Sequence, residues 1–448
     1  MTNLVSFHAG HDGAVTYIKK NKIIFHTQID RYNRFKHLSF PSKSLIDELK
    51  KIDFDILLLS FSQNSEHWAL TWKEIFNEFT NKDIIFTSDK HHLYHYYCAK
   101  TWQTNIKNIL VADGAGAPMQ AGFEEESLFI NDKHITTEQN AIGIKYENFS
   151  KKHFGYNLSC GKTMAWSLYD SRPKEIQQTF EKEMNTLIKK WKVKDEILFT
   201  GGCAQNVLYN SKLLNKFNKV FCDPFNGDFG LSLGLANYYL KGVVKNNDVF
   251  LGIPQDINTD LFLKHDIFNA TAGDVAKILL NDPVAIFQSR SEQGQRGLGN
   301  RSLLMSPLHK DAHNKLNEIK KREWFRPFAC SVLEEEASKW FKMKGVKKSP
   351  YMMYVFDVNQ KKKKILKAGV AKNNTSRIQT VNKKQNYFYK LIKEFELLTN
   401  IPIVINTSLN LPGEVLVESL KDLKQLYERS KLKYIYLPEI NKVIKKHD

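Results

Sequence analysis

Residues 288–302, QSRSEQGQRGLGNRS, set Arg290, Arg296 and Arg301 among Gly294, Gly297 and Gly299, directly after the apolar run Val284-Ala285-Ile286-Phe287. The run reads as a strand delivering a cationic, glycine-rich loop. Glycines let backbone N–H groups approach a ligand closely, and guanidinium groups offer planar donor forks that suit phosphate or carboxylate oxygens. An anion pocket is expected here. A second cationic cluster follows at Lys320-Lys321-Arg322-Glu323-Trp324-Phe325-Arg326-Pro327-Phe328-Ala329, set among aromatics as a partly desolvated anion site would be. Ser376-Arg377-Ile378-Gln379-Thr380 adds another arginine. Ile403-Val404-Ile405 reads as a strand running into the small polar donors Asn406-Thr407-Ser408-Leu409-Asn410, with Pro412-Gly413-Glu414 beyond, a second ligand edge.

The other chemistry-bearing residues lie in the first half. His91 and His95 belong to a segment ending at Ala99 that can be helical, and a spacing of four puts them on one face, close enough to share a metal. Asp113 ends the apolar strand Asn108–Ala112, and Asp228, in Asn226-Gly227-Asp228-Phe229-Gly230, opens a small-residue helix over Leu231–Ala236. Both sit where a cleft ligand would be. Nitrogen and oxygen ligands together suit iron, zinc or manganese alike.

The elements that must carry these residues repeat. Asn3–His8 reads as a strand, followed by the turn Ala9-Gly10-His11-Asp12-Gly13 and strands over Ala14–Lys19 and Lys22–Gln28. Asn108–Ala112 likewise enters Asp113-Gly114-Ala115-Gly116, then Ala117–Glu124, Glu126–Ile130, a turn at Asn131-Asp132 and Lys133-His134-Ile135. Two strand–turn–strand–strand units, each with an acidic turn after its first strand, predict an α/β fold of the duplicated actin-like or sugar-kinase-like (ASKHA) kind, with both acidic turns facing one cleft. Helical periodicity fills Trp68–Phe79 and Ile176–Trp191.

With 448 residues and 42% hydrophobic content, the chain is long enough for two domains, expected at 1–255 and 265–448. No stretch approaches the ~20 apolar residues of a membrane span, and Met1-Thr2-Asn3-Leu4 begins no signal peptide, so a cytoplasmic location, in a bacterium or a phage-infected host, is expected. Five scattered cysteines argue for free thiols rather than a disulfide framework. The net charge of +18 is uneven, about +4 over residues 1–250 and about +14 over 251–448. Runs such as Lys342–Lys348, Lys361–Lys364 and Lys383-Lys384 lie outside the motifs, and such a field would hold a polyanion such as nucleic acid.

The second-half blocks resemble the NodU/tobramycin O-carbamoyltransferase family, whose YrdC-like domain carries G-R-x-E-x-G-x-R-x-L-G-N-R-S, K-x-R-E-x-F-R-P-F-A, A-R-x-Q-T-V and N-T-S-x-N-x-x-G-E in this order. The first half resembles that family's threonylcarbamoyl-transferase-like domain through His11-Asp12, His91 with His95, Asp113-Gly114, Gly201-Gly202-Cys203-Ala204-Gln205-Asn206, and Asp228-Phe229-Gly230 with Gly234. The family's frequent serine after H-D is Gly13 here, its prolines stand as Gln295 and Cys330, and its G-K-x-M-G-L-A-P-Y-G becomes Gly161–Asp170 with several changes.

The resemblance implies that His91, His95, Asp113 and Asp228 hold one metal, iron(II) or another divalent ion, and that Gly114, Gly201, Gly202, Gln205 and Asn206 accommodate adenosine. It also implies a first step at the YrdC-like domain, in which ATP and carbamoyl phosphate give carbamoyl-adenylate; Mg2+ is left open as a further cation. Arg296, Lys320, Arg326 and Arg377 are assigned to phosphate or carbamoyl phosphate, with Asn406 and Ser408 at the nucleotide or carbamoyl edge. In the second step an acceptor hydroxyl attacks the carbamoyl carbon, with His11 as candidate base beside Asp12. The charge skew favours 5-hydroxymethylcytosine in DNA, or RNA, as acceptor. An antibiotic or oligosaccharide hydroxyl, threonylcarbamoyl modification of tRNA, and a non-catalytic nucleic-acid-binding module are the alternatives. No membrane partner is expected, and the oligomeric state stays open.

Overall fold

A computed structural model describes residues 2–447 apart from 38–39, 62–65, 78–79, 81, 88–89, 120–121, 132 and 139. The chain divides into two compact units, Met1–Leu251 and Gly252–Asp448.

The first unit contains two five-stranded sheets. In one, β1 (Leu4–Ala9), β2 (Ala14–Lys19) and β3 (Lys22–Gln28) form an antiparallel meander, while β4 (Ile56–Phe61) and β5 (Asp83–Phe86) run parallel to β1, in the order β3-β2-β1-β4-β5. In the other, β6 (Asn108–Ala112), β7 (Glu126–Ile130) and β8 (Lys133–Thr137) form the meander, and β9 (Glu196–Thr200) and β10 (Lys219–Cys222) add in parallel beside β6. Its order, β10-β9-β6-β7-β8, is the first one read from the opposite edge. One topology is therefore used twice, which is the duplicated actin-like, sugar-kinase-like architecture.

The strand readings hold with shifts of a residue or two, with one difference. Among the described residues of 117–124, which leave out 120 and 121, there is no strand, only a bridge between Pro118 and Phe123, and the second meander resumes at Glu126. Pro118 removes a ladder donor, and Gly116 and Gly122 weaken the pleat, so this stretch cannot propagate pairing. The helix read over Ile176–Trp191 runs from Ser171 to Lys190, started by Asp170, whose side chain accepts from the Arg172 N–H. The one read over Trp68–Phe79 spans Glu66–Asn77; Glu78 and Phe79 lie outside the described residues, as does Asp132 of the expected turn.

Two helices hold the site residues of this unit. The His91–Thr101 helix has buried residues on every side, as suits a helix in the interior rather than on a surface. One side of it is apolar: Tyr96 and Ala99 pack with Ile106, Ile109, Val111, Phe129 and Leu198. Against it lies the Leu231–Tyr239 helix, brought close because Gly234 has no side chain; a Cβ there would stand 1.9 Å from the Tyr94 carbonyl oxygen. That contact fixes the spacing between the histidines and Asp228.

The second unit is one ten-stranded sheet, in the order β11-β20-β19-β12-β13-β18-β14-β17-β16-β15. The strands are β11 (Asp266–Asn269), β12 (Val284–Phe287), β13 (Arg301–Met305), β14 (Ala329–Leu333), β15 (Phe341–Lys342), β16 (Val355–Val358), β17 (Thr375–Val381), β18 (Ile403–Ser408), β19 (Tyr434–Leu437) and β20 (Lys442–Lys445). β12, β13 and β14 are buried along their whole length, as their near-continuous apolar sequences require. The 288–300 loop joins β12 to its antiparallel neighbour β13, and β18 extends through Asn406 to Ser408. All five cysteines are free, and no helix among the described residues is long and apolar enough to cross a membrane.

Candidate metal centre and anion site

His91 and His95 project from the start of their helix toward Asp113, just past the end of β6, and Asp228, in the turn that opens the Leu231–Tyr239 helix. His95 Nε2 lies 2.8 Å from Asp113 Oδ2 and 4.0 Å from Asp228 Oδ1; His91 Nε2 lies 3.4 and 3.5 Å from the same two oxygens. One donor atom from each of the four falls within 4.8 Å of every other. Ligand atoms bonded at about 2.1 Å to one ion are at most about 4.2 Å apart, so a small contraction closes the set. Buried His91 Nε2 has no hydrogen-bond partner of good geometry, which fits a nitrogen reserved for a ligand. The four residues therefore suit a divalent metal.

The electrostatics agree. Burial alone would drive the His91 imidazole neutral, yet the carboxylates of Asp228 and Asp113 hold its pKa well above the ordinary value. Burial likewise works against the Asp113 and Asp228 carboxylates, but the facing histidines keep both pKa values below the carboxylate range. Two negative charges gathered in the interior create strong demand for a cation.

The remaining first-half residues are distributed around this centre. Gly114 N–H donates to Asp113 Oδ1 at 2.8 Å. Gly201, at φ 85°, lies so close to the end of β6 that a Cβ would be 2.2 Å from Ala112 O, and one on Gly202 would be 2.7 Å from Asp113 Oδ1. These glycines crowd Asp113, as a close backbone approach demands. Asn206 differs: its side chain caps the Val207–Leu213 helix by accepting from Tyr209 N–H and exchanges hydrogen bonds with the buried Gln177. Its amide is committed to that network. His11 Nδ1 stands 3.4 Å from Asp228 Oδ2, with half its side chain exposed, and the Asp228 carboxylate raises its pKa against the effect of burial. Asp12 accepts a 2.7 Å hydrogen bond from His37 Nδ1, a residue that sequence reasoning missed because a lone loop histidine has no spacing to mark it.

In the second unit the arginines that lie together are not all those expected from the sequence. Arg296, Arg322, Arg326 and Arg377 act on one another. Burial and then Arg326 and Arg322 lower Arg296 to about 10; burial with Arg326 and Arg377 puts Arg322 well below its usual range; burial with Arg296 and Arg326 does the same to Arg377. Glu323, 3.6 Å from Arg326, is the one carboxylate among these causes. Arg377 Nε is buried without a hydrogen-bond partner. Four cations held together against their repulsion suit a strongly anionic ligand.

Arg301 and Arg290 do not belong to that cluster. Arg301 is fully buried, stacks over Phe287 at 3.7 Å, and gives its guanidinium protons to the carbonyls of Gln288, Ser289, Asn300 and Glu418. Arg290 Nε donates to Gly252 O at 2.7 Å. Four backbone N–H groups at the end of the loop are also taken: Leu298, Asn300 and Arg301 donate to the buried Glu292 carboxylate, and Gly299 donates to Ser302 Oγ. The glycines serve packing instead, since a Cβ on Gly297 would meet Ser408 Cα at 2.7 Å. Asn406 is fully buried, donating to Gly297 O and Ser331 Oγ beneath the loop.

Lys320 is engaged with the chain itself. It is 2% exposed and its ammonium donates to Ser408 O, Asn410 O and Asn410 Oδ1, each at 2.6 Å, which uses all three protons. Its place among the cations is held by Arg322, just past the helix end. Lys320→Met is therefore expected to cost about 3 kcal/mol, since hydrogen bonds from a charged donor are lost and three partly buried acceptors lose their donor. A fall in the urea midpoint of the second unit at unchanged slope checks this; an unchanged midpoint with weakened phosphate binding would return Lys320 to the ligand.

Residues 275–445 match the carbamoyltransferase C-terminus family. An uncharacterized protein of Methanocaldococcus jannaschii is 26% identical across 92% of this chain and 94% of its own length. The nodulation protein NolO of Bradyrhizobium diazoefficiens is 32% identical over 50% of this chain, and nodulation protein U of Azorhizobium caulinodans 30% identical over 48%. The chain spans less than half the length of these two, 45% and 40%. Among solved structures, the activator of 2-hydroxyisocaproyl-CoA dehydratase from Clostridium difficile aligns over 55% of this chain and 99% of its own, at 11% identity and a TM-score of 0.35. A likeness that weak adds nothing to the strand orders. The family model, the nodulation relatives and the motif blocks agree: residues 275–445 are similar to the C-terminal part of carbamoyltransferases.

Proposed function

We propose that the chain activates carbamoyl phosphate with ATP at the second unit and transfers the carbamoyl group to an acceptor hydroxyl at the first. The arginine cluster carries this reading. Carbamoyl phosphate and ATP are both rich in phosphate oxygens, and fixed guanidinium groups stabilise charge that accumulates there as carbamoyl-adenylate forms. Arg296, Arg322, Arg326 and Arg377 bind those oxygens, while Lys320, Asn406 and Ser408 hold the surrounding backbone in place.

In the first unit Gly114, Gly201, Gly202 and Gln205 receive the adenosine part, with Asn206 anchoring the helix behind them. His91, His95, Asp113 and Asp228 would hold a divalent metal, iron(II) by family resemblance, which supplies Lewis acidity and an anchor for the adenylate phosphate. His11, beside Asp228, steadies the same phosphate.

The acceptor we assign is the hydroxymethyl group of a modified cytosine, presented in single-stranded DNA or flipped from a duplex. Its support is the lysine distribution: residues 339–372 contain eleven lysines and a single acid, Asp357. Lys339, Lys342 and Lys362 lie on neighbouring segments. β15 and β16 pair Lys342 with Asp357, Asn359 Nδ2 donates to Lys339 O, and Lys362 Nζ lies 4.3 Å over the Trp340 ring. Such a band attracts a phosphate backbone regardless of base sequence. Incubation with ATP, carbamoyl phosphate and hydroxymethylcytosine DNA, then digestion to nucleosides, should show a mass gain of about 43 Da, carbamoyl replacing hydrogen. No gain on DNA or RNA, with gain on an aminoglycoside, would assign a small-molecule acceptor instead; dependence on threonine and bicarbonate in place of carbamoyl phosphate would point to tRNA modification.

A further inference from the structure

We infer that His37, oriented by Asp12, is the general base that removes the acceptor proton; the inference rests on the carbamoyl-transfer reading. Asp12 and His37 come from separate turns, the first between β1 and β2 and the second beyond β3, and meet at 2.7 Å between Asp12 Oδ1 and His37 Nδ1. An ionised carboxylate only accepts, so the proton lies on Nδ1 and the Nε2 lone pair is left to act as a base. Asp12 is buried at 8% exposure, while the His37 side chain is 36% exposed, so one partner is fixed and the other reaches solvent.

The meeting is built at a cost in backbone strain. Asp12 has φ 57° and His37 φ 64°, both in the left-handed region that non-glycine residues seldom occupy. The turn is tied down by Gly13 N–H to Gly10 O at 3.1 Å and by Ile29 N–H to Gly13 O at 2.9 Å. His37 N–H donates to Asp30 Oδ2 at 3.3 Å, and Asp30, 3% exposed, keeps its other oxygen without a hydrogen-bond partner. A loop needing only a surface staple would not bury two carboxylates and strain two residues for it.

The dyad is also in the right place. His11, the residue beside Asp12, reaches Asp228 of the metal quartet at 3.4 Å. His11 directs a ring nitrogen at a prospective metal ligand, whereas His37 Nε2 has no such engagement among the described contacts. In the transfer step the acceptor O–H proton passes to His37 Nε2 as its oxygen bonds the carbamoyl carbon. The bond from that carbon to the adenylate phosphate oxygen breaks, AMP leaves with that electron pair, and His37 returns the proton to solvent. Asp12 is the positioning residue, fixing the tautomer and stabilising the imidazolium.

Left-handed backbone suits glycine at 37 and asparagine at 12, so His37→Gly and Asp12→Asn retain the turn geometry. The experiment uses the full chain with ATP, carbamoyl phosphate and two acceptors, hydroxymethylcytosine DNA and an aminoglycoside, in single turnover. His37→Gly should keep carbamoyl-phosphate-dependent ATP consumption within about twofold and lose roughly 100-fold or more in transfer, with added imidazole restoring part of the loss. Asp12→Asn should lower kcat by about 100-fold with the acceptor KM little changed. Transfer by His37→Gly at the wild-type rate, or a loss that imidazole does not restore, overturns the base role while carbamoyl transfer stands. A wild-type chain that carbamoylates neither acceptor overturns the transfer reading and the inference with it.

Discussion

Arg377→Met is expected to lower carbamoyl-phosphate-dependent ATP consumption by at least about 100-fold and, at the same time, to raise the melting temperature of the ligand-free protein. The two effects have opposite signs for one reason. Arg377 is pushed toward its neutral form by burial and by Arg296 and Arg326, so in the absence of an anion it contributes repulsion. An apolar side chain of similar length removes that repulsion and the unpaired Nε. With the anion bound, the same guanidinium stabilises charge, and losing one such fixed donor typically costs about 10²- to 10³-fold. Calorimetry with and without ATP or phosphate checks both halves. Wild type should gain about 2.7 kcal/mol at a ligand concentration one hundred times Kd, and the variant much less. A variant that is both less stable and fully active would show that Arg377 is structural.

The second large effect is expected at Asp228. Asp228→Asn should abolish metal retention and cut transfer by roughly a thousandfold while leaving ATP consumption at the second unit intact. Asp228 faces His91 at 3.5 Å, His95 at 4.0 Å and His11 at 3.4 Å, so its charge is the hub of the centre. The change is nearly isosteric, so the fold should survive. Metal content by elemental analysis, beside the single-turnover assay, checks the prediction. Because His91 is held in its protonated form by the carboxylates, metal loading must release a proton, and the apparent affinity should fall as pH falls. Retained metal with normal transfer would remove Asp228 from the ligand set.

The parts legible in sequence were those with a period or a spacing. The strand at Leu4–Ala9, the meander through Gln28 and its repeat from Asn108 follow from alternation and turn residues, and the four-residue spacing of His91 and His95 survives because both lie on one helix. Arginine roles were less legible, since composition places a guanidinium in a loop but does not say which way it points. Arg301 turns inward because its position is the first residue of a buried strand, where five donors can be met by four carbonyls and a ring face. Lys320 and Arg322 exchange roles because the helix ends at 320, with Lys321 at φ 42° turning the chain. His37 depended on a tertiary meeting with Asp12 that no local pattern announces.

The Glu292 carboxylate collects the N–H groups of Leu298, Asn300 and Arg301. The loop over the arginines therefore contains its own internal substitute for a ligand. Its shape does not wait for substrate, so encounter with a phosphate compound requires little ordering of backbone, and binding keeps most of the electrostatic gain as affinity. Glu292→Gln would exchange that readiness for a floppy loop that closes only as the anion arrives, and the signature would be kinetic: slower association with a similar final complex.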